Sequence, residues 1–333
     1  MGRIIRAMNV PSPNPESRSP QFPHALPDSG VARLSHWGVI EATGEDSIKF
    51  LNSQLSNDLN QLSATQARLA AFCSAKGRMQ ASFVAVQHGN GAVLLLCSQD
   101  LLAATLKRLS MFVMRAKTKL RDATQDYAVY GLLGDSTLPT GDPAQVPWGA
   151  HAEAGAAMVQ LYPAQGLPRQ LWVADANASA PAGPALALSD WQCAEVLSGV
   201  ATVSAAVVEA FVPQMLNYES VGGVSFKKGC YPGQEVVARS QFRGTLKRRA
   251  YLVSLSVAAG MNEPVAGQEV FSSHDPDQPC GAVVQAAHGA DGDWVAIVSM
   301  QTSAAESGTL HLGGPDGSTL RLMPLPYALL EDI

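Results

Sequence analysis

One segment of the chain differs in chemistry from everything around it. It runs from Lys227 to Arg239 and reads KKGCYPGQEVVAR. Pro232 suits the first turn of a helix, because its missing N–H would lack a partner there. We therefore expect Cys230 just before a helix N-terminus, where free N–H groups, the helix dipole and two preceding lysines favour the thiolate that nucleophilic, redox and metal-binding cysteines need. A buried cysteine in a glycine-bounded turn explains the same residues equally well.

The charge around this segment supports a binding site. Seven of the 23 basic residues of the chain fall between positions 227 and 249, where the only acid is Glu235. In a chain of net charge −5, such a patch can bind carboxylate-rich or phosphate-rich partners. A solvated basic face is the alternative.

Composition narrows the class of protein. The chain has 333 residues, enough for two or three domains. Apolar residues make up 47% and charged residues 15%, which is typical of a folded body rather than of a disordered chain. The net charge argues against a general nucleic-acid coat or a cationic membrane binder. No uninterrupted apolar run reaches the roughly 20 residues of a membrane span.

The cysteines exclude two kinds of site. They are five in number, stand far apart and include no C-x-x-C pair (Cys73, Cys97, Cys193, Cys230 and Cys280). This spacing argues against a zinc ribbon and against a thioredoxin-type site, and we expect no metal site. Free thiols predict a reducing compartment, so we expect a cytoplasmic protein.

The N-terminal segment predicts a flexible leader. Residues 1–30 contain six prolines with serine and asparagine between them, and no apolar signal core. We interpret this segment as disordered and exclude it from the fold.

Apolar periodicity predicts the strands and helices in the first part of the chain, after the leader. A short strand is expected over 36–43, and Gly44 ends it. Apolar residues at steps of three and four then fit one face of a helix over 48–62. A β-hairpin with strands over 83–86 and 92–96 follows, and Ser98 or Asp100 can cap the helix after it.

The predicted secondary structure changes in character twice over the rest of the chain. Strands are expected over 127–133 and 171–174, with long loops between Gly134 and Pro168. Ser189 and Gln192 form a capping-box pattern that opens a helix through Leu197. Six short apolar-alternating runs then predict a small barrel or sandwich, over 250–257, 268–272, 281–287, 293–300, 308–312 and 319–323.

Several ordered motifs together resemble one family. The segment Lys227–Arg239 is similar to the hallmark K-G-C-[FY]-x-G-Q-E of the YgfZ group of folate-binding proteins, which is related to the aminomethyltransferase (T-protein) of the glycine cleavage system. The likeness covers most of the chain from about residue 33. It also includes the stretches Gly44–Asp58, Cys73–Arg78, Pro213–Gly223, Phe242–Gly244 and Pro324–Tyr327.

The resemblance implies an α+β fold, a three-domain ring of the aminomethyltransferase type. Its first domain, which binds folate, would be discontinuous and comprise residues 31–125 and 189–245. An inserted α+β domain would cover 126–188, and a C-terminal β-barrel would cover 246–333. These boundaries coincide with the positions at which the predicted secondary structure changes in character.

The resemblance also implies a ligand and site residues. Two tryptophans associated with folate contacts in the family match Trp37 and Trp191, and flat pterin and aminobenzoyl rings need aromatic faces. Ordinary packing is the alternative for both, and we expect Trp148, Trp172 and Trp294 to be structural. The resemblance also implies folate contacts from the family stretches Cys73–Arg78 and Lys227–Arg239. The expected residues are Arg78, Lys228, Gln234, Glu235 and Arg239. Cys230 is the expected functional thiol, whereas we expect Cys73 to be packed.

Three functions stay open. YgfZ-group members are described as acting in tRNA modification and in assembly or repair of iron–sulfur enzymes. The first candidate is therefore a folate-binding accessory factor, a monomer with iron–sulfur client enzymes as partners and without direct nucleic-acid or membrane binding. It would be an accessory or redox factor rather than a transferase.

The second candidate is a folate-dependent one-carbon transferase. Related enzymes carry an acidic residue that faces the folate nitrogen, within an Asn-Ala-x-Asn-x-x-Lys-Asp-like segment. The corresponding stretch Leu96–Leu101 lacks the asparagines and the lysine, and Asp100 is better explained as a helix N-cap.

The third candidate, a direct tRNA binder, depends on the basic residues of 227–249 alone, because the chain has no RNA-module motif.

Overall fold

The computed structural model describes residues 26–89, 91–138, 146–153, 155–242, 246–257, 261–289, 292–306 and 308–330. Most of the expected leader lies outside these residues, as do Arg243 and Gly244 of the family stretch Phe242–Gly244. The described part contains two five-stranded sheets, one closed six-stranded barrel and five α-helices. None of its helices is long and apolar enough to cross a membrane.

The elements have the following bounds. The strands are β1 (Ser29–Arg33), β2 (Trp37–Thr43), β3 (Arg68–Cys73), β4 (Met79–His88), β5 (Ala92–Ser98), β6 (Lys119–Asp122), β7 (Tyr127–Gly134), β8 (Ala150–Glu153), β9 (Ala156–Ala164), β10 (Leu167–Asp175), β11 (Arg248–Leu255), β12 (Glu269–Ser272), β13 (Asp275–His288), β14 (Trp294–Gln301), β15 (Leu310–Leu312) and β16 (Thr319–Met323). The helices are α1 (Ser47–Gln54), α2 (Gln99–Ser110), α3 (Leu188–Leu197), α4 (Gln234–Phe242) and α5 (Thr302–Glu306).

The first sheet has the order β3-β4-β5-β2-β6 and is antiparallel throughout. The predicted first strand and hairpin are both present. The predicted helix over 48–62 is too long, because α1 ends at Gln54 and the chain then bonds to β3. The N–H of Ser56 donates to the carbonyl of Ala71 at 2.9 Å, and a separate 3₁₀ turn covers Leu59–Gln61.

The second sheet has the order β1-β7-β10-β9-β8. Strand β1 pairs with β7, so Ser29 and Gly30 are ordered although we expected a disordered leader through residue 30, and residues 31–33 lie in this sheet although we expected them with the first domain. The predicted strands over 127–133 and 171–174 fall within β7 and β10. The expectation of loops alone between Gly134 and Pro168 was wrong, because the apolar run Ala156–Ala164 forms the inner strand β9.

The C-terminal barrel contains all six strands that the sequence predicts, closed in the order β11-β14-β13-β12-β15-β16. Alternate side chains fill its interior, among them Val253, Val283, Ala296 and Val298. Helix α3 packs against β13 and β14, so it connects the barrel to the rest of the molecule.

Two predicted helix caps differ in the structure. Helix α3 begins at Leu188 with Ala187 as its N-cap, and no side-chain capping bond forms, so the predicted Ser189–Gln192 capping box is absent. Ser98 is the N-cap residue of α2, and its hydroxyl donates to Asp100 Oδ1 at 2.6 Å instead of accepting from the backbone. Asp100 lies in the first turn, where its Oδ2 accepts from the N–H of Ala205 at 2.9 Å.

Candidate functional site

A buried carboxylate joins the two predicted tryptophans. Glu195 lies on α3, one turn after Trp191, and its Oε1 accepts the indole N–H of Trp191 and that of Trp37, both at 2.8 Å. Its Oε2 is 2.9 Å from Nε2 of His36. The structure therefore brings Trp37, on β2, and Trp191 together through one side chain that the sequence analysis did not single out.

A buried arginine completes this cluster. Arg169 lies on β10 with 3% of its surface exposed, and its guanidinium carbon is 4.5 Å from the centre of the Trp191 ring. Its Nη1 donates to the carbonyl of Tyr162 at 3.4 Å, and its Nε has no hydrogen-bond partner among the described residues. A buried cation with an unused donor has hydrogen-bonding capacity for a ligand.

The electrostatics of the cluster favour the charged pair. Burial alone would raise the pKa of the Glu195 carboxyl, but hydrogen bonds from His36 and Trp37 and the charge of Arg169 hold it below its usual range. Burial lowers the pKa of the Arg169 guanidinium to about 10, and the Glu195 charge opposes that shift. The hydrogen bonds to Glu195 and the charge of Arg169 thus favour the ionised carboxylate, and the Glu195 charge favours the charged guanidinium.

The cluster borders a cavity between the two sheets and α3. The cavity measures about 450 Å³, including the solvent at its open mouth. Its walls combine aromatic faces with the two charged side chains, and the lining residues include Trp37, Phe83, Trp148, Tyr162, Arg169, Glu195 and Tyr218. A second cavity of about 1050 Å³, also open to solvent, lies between the first sheet, α3 and the barrel and shares Trp37, Glu195 and Thr202 with it.

The two predicted tryptophans differ in their access to this cavity. Trp37 lines it, whereas Trp191 is fully buried and does not. The Trp191 ring lies flat against Gly131 of β7, where a Cβ atom would come within 2.5 Å of the ring. Trp191 therefore supports the cavity wall without lining it, because its indole N–H donates to Glu195 and its ring lies under the Arg169 guanidinium.

The Cys230 segment lies apart from the cavity lining. Cys230 is exposed, which agrees with an accessible thiol. Helix α4 begins at Gln234, so Pro232 is not in its first turn and Cys230 precedes the helix by four residues. The expected position just before a helix N-terminus is therefore only approximate. Cys73, in contrast, is buried, and burial raises the pKa of its thiol to about 12.

Lys228 has a structural partner. Its ammonium group donates to the carbonyls of Asn52 and Leu55 at the C-terminal end of α1, and burial lowers its pKa to about 8. A lysine at this position satisfies helix carbonyls that lack an intrahelical partner. The predicted folate contact of Lys228 gains no support from this arrangement, because Lys228 does not line the cavity.

The other predicted contacts from the two motifs lie near Cys230 rather than at the cavity. Glu235 and Arg239 are exposed on α4 and pair with each other at 3.2 Å, and Gln234 opens that helix. Arg78 donates to the carbonyl of Ala210. The structure does not bring these four residues to Trp37, so their folate contacts stay predictions.

Two glycines bring the family stretches Cys73–Arg78 and Lys227–Arg239 into contact. Gly233 has φ +79°, and a Cβ on it would lie 2.4 Å from the carbonyl oxygen of Ser74 and 2.7 Å from the Cα of Gly77. Gly77 has φ +70° in the turn between β3 and β4. Only glycine fits this backbone-to-backbone contact.

Replacing Gly233 with alanine is therefore expected to lower the free energy of unfolding by about 2–4 kcal/mol, from left-handed strain and overpacking. Gly229→Ala is the matched control in the same segment, because nothing lies within 4 Å of its Cβ position, and we expect a change within about 0.5 kcal/mol. Urea unfolding measures both. Equal effects of the two substitutions would contradict this packing.

Sequence reasoning missed several residues of the site. Glu195 and Arg169 were not singled out, and Trp148 and Trp294, expected to be structural, line the first and second cavities. A signal for Glu195 existed, because it is an acid on a largely apolar helix, four residues after Trp191. No comparable signal marked Arg169, whose cavity position depends on the pairing of β10 with β7 and β9.

Comparisons with known proteins agree with the predicted family. No protein-family model matches the chain. The chain is 31% identical over 313 residues to the tRNA-modifying protein YgfZ of Sodalis glossinidius (strain morsitans), covering 90% of this chain and 93% of that protein. It is 30% identical over 337 residues to the protein of the same name from Cronobacter sakazakii, covering 94% and 97% respectively.

A solved structure agrees with the predicted fold. The glycine cleavage system aminomethyltransferase T from Bartonella henselae superposes with a TM-score of 0.61 at 13% identity, covering 92% of this chain and 87% of that one. The predicted α+β fold of the aminomethyltransferase type, with its C-terminal β-barrel, is confirmed. From the sequence identity and coverage of its relatives, the chain belongs to the YgfZ family.

Proposed function

We propose that this protein binds a folate in the cavity beside Trp37 and serves as an accessory factor for iron–sulfur enzymes, including enzymes that modify tRNA. The observation that carries the proposal is the aromatic-walled cavity, built around the Trp37–Glu195 hydrogen bond, in a chain of the YgfZ family. We further propose a cytoplasmic monomer with the domain division given above, except that β1 belongs with the second sheet.

The residues present fit a folate. Trp37 and Glu195 line both cavities. Trp37, Trp148 and Tyr162 offer flat faces to a pterin or aminobenzoyl ring. Glu195 Oε2 is bonded only to His36 and keeps hydrogen-bonding capacity, which a heterocycle with donors on its edge can use. Tetrahydrofolate, when bound, would supply one-carbon or redox chemistry.

The transferase stays the second candidate. Asp100, the acid at the position of the related enzymes' segment, is engaged by Ser98 and by the Ala205 N–H and does not line the cavity. Glu195 does line it, but it already accepts hydrogen bonds from His36, Trp37 and Trp191. A carboxylate held in this way is suited to binding rather than to proton transfer.

The accessory role further depends on Cys230. We expect Cys230→Ala to abolish the ability of this chain to restore iron–sulfur enzyme activity in cells that lack their own YgfZ protein. The exposed position of Cys230 predicts that the variant folds normally. The measurement is complementation, with tRNA modification and thermal unfolding as readouts. Gly229→Ala, its exposed neighbour, is the control and should complement fully. Full complementation by Cys230→Ala would remove the thiol from the proposal.

A further inference from the structure

We propose that a groove between α2 and residues 205–208 is a docking site for an acidic, amphipathic segment of a partner protein. This groove, the α2 groove, shares no lining residue with the two cavities described above. The inference goes beyond the proposed function, because it depends on neither folate nor Cys230. It predicts that the partner segment carries negative charge and inserts apolar side chains between the two walls.

The α2 groove combines apolar and cationic walls. It measures about 710 Å³, including the solvent at its open mouth. Phe72 of β3 lies buried in its lining, and the exposed side chains of Met111 and Val208 line it as well. Lys107 and Arg108, in the last turn of α2, supply two cations to the same lining. An apolar side chain can therefore enter the groove while its acidic neighbours meet the cations.

Three large apolar side chains stay in solvent where α2 ends. Met111 is 70% exposed, Phe112 42% and Met114 86%. Exposed apolar side chains that cluster in this way mark interaction surfaces. Two of the three are methionines, whose flexible side chains adapt to the surface of a partner, whereas single-stranded nucleic acids bind by stacking on aromatic faces. The composition of this surface therefore favours a protein partner over RNA.

The charge of this surface identifies the chemistry of the partner. Residues 101–121 contain six basic residues and no acid. Two of the six are paired, Lys117 with Glu45 at 2.5 Å and Arg121 with Glu41 at 2.6 Å. The other four are exposed and form no ion pair within the described part of the chain (Lys107, Arg108, Arg115 and Lys119). Unpaired cations beside exposed apolar side chains complement an acidic amphipathic segment.

The wall opposite α2 is fixed in place. The backbone N–H of Ala205 donates to Asp100 Oδ2 of α2 at 2.9 Å. Glu209, the only acid of residues 205–210, has its Oε1 bonded to the side-chain amide of Gln80 on β4 at 2.6 Å. These two bonds hold the facing segment to α2 and to the first sheet. The groove is therefore formed before a partner binds, and its one neighbouring carboxylate is already engaged.

The test selects a displayed library of short random peptides against the full chain and measures the enriched peptides by fluorescence anisotropy. We expect enriched peptides with a net negative charge and with apolar residues three or four positions apart. Their affinity should fall at least roughly tenfold in Arg108→Glu/Met111→Ser, which reverses one rim charge and removes one apolar wall. Added salt should weaken their binding to the wild-type protein, because the cations are exposed.

Arg321→Glu/Leu322→Ser is the matched control. Arg321 and Leu322, on β16 of the barrel, are likewise an exposed arginine and an exposed large apolar residue, and neither lines the α2 groove. This variant should keep the peptide affinity within about twofold of the wild-type value. All four substituted side chains are exposed, so both variants should unfold at the wild-type temperature, and thermal unfolding checks this.

Several outcomes would overturn the inference. They are a selection that enriches no peptide, enriched peptides without a preference for acidic residues, and equal affinities in the two double variants. Phosphatidylglycerol vesicles and a single-stranded RNA serve as further probes. Binding of either one that is lost in Arg108→Glu/Met111→Ser and kept in the control would assign the groove to a membrane or to RNA instead. A dimer of this chain that dissociates in the same variant would assign the groove to a second copy.

Discussion

Replacing Glu219 with alanine is expected to lower the free energy of unfolding by about 3–5 kcal/mol, because it leaves a buried guanidinium without its counter-charge. Glu219 is fully buried, and its Oε1 lies 2.6 Å from Nη1 of Arg249 on β11. The same arginine donates from Nη2 to the carbonyl of Leu330 at 2.8 Å. The pair thus joins the barrel, the segment before Cys230 and the C-terminal tail.

The double variant Glu219→Met/Arg249→Met is the control for this prediction. Removing both charges leaves no unpaired ion, so the double variant should be clearly more stable than Glu219→Ala. Urea unfolding of the full chain, followed by tryptophan fluorescence, measures the midpoint and the slope for each protein. A loss below about 1 kcal/mol for Glu219→Ala, the value typical of an exposed ion pair, would show that this pair does not hold the barrel in place.

The second large effect concerns the proposed ligand. Trp37→Leu is expected to weaken tetrahydrofolate binding by roughly tenfold to hundredfold, because it removes the flat wall of the cavity and one of the donors that fix Glu195. Anaerobic titration calorimetry measures the affinity, and circular dichroism confirms that the variant is folded.

Trp172→Leu is the matched control for this substitution. Trp172 is similarly buried and stacks edge-on against Tyr130 in the second sheet, but it does not line the cavity. Its loss should leave the tetrahydrofolate affinity within about twofold of the wild-type value, a difference of less than 0.5 kcal/mol. Equal losses for Trp37→Leu and Trp172→Leu would show that the substitutions act through general stability rather than through the proposed site.

The barrel and the first sheet could be predicted because their signals are local. The runs that predict the barrel strands are short and alternating, with glycine, proline and aspartate between them, and alternation identifies which residues face the interior. The Ala156–Ala164 strand was missed because the surrounding glycines and prolines indicate loops more strongly than its mixed apolar run indicates a strand. The end of α1 was missed because a tertiary bond from Ser56 to β3 competes with the helical pattern.

The candidate site was predicted only in part, for a different reason. Motifs identified Trp37 and Cys230 by their neighbours in sequence. Arg169 and Glu195, in contrast, line one cavity from positions 26 residues apart, with Arg169 over the ring of Trp191, and nothing in the local sequence indicates this arrangement. The folate contact that the family motif predicts for Lys228 stays a prediction, and the structure adds a role that the motif did not indicate, since its ammonium group donates to the carbonyls of Asn52 and Leu55.

The crystal structure of this protein grown with tetrahydrofolate is the most direct test of its proposed binding site. We predict density for the pterin in the cavity against Trp37. Density for the ligand against the exposed face of α4 near Cys230, with the cavity free of it, would contradict this placement.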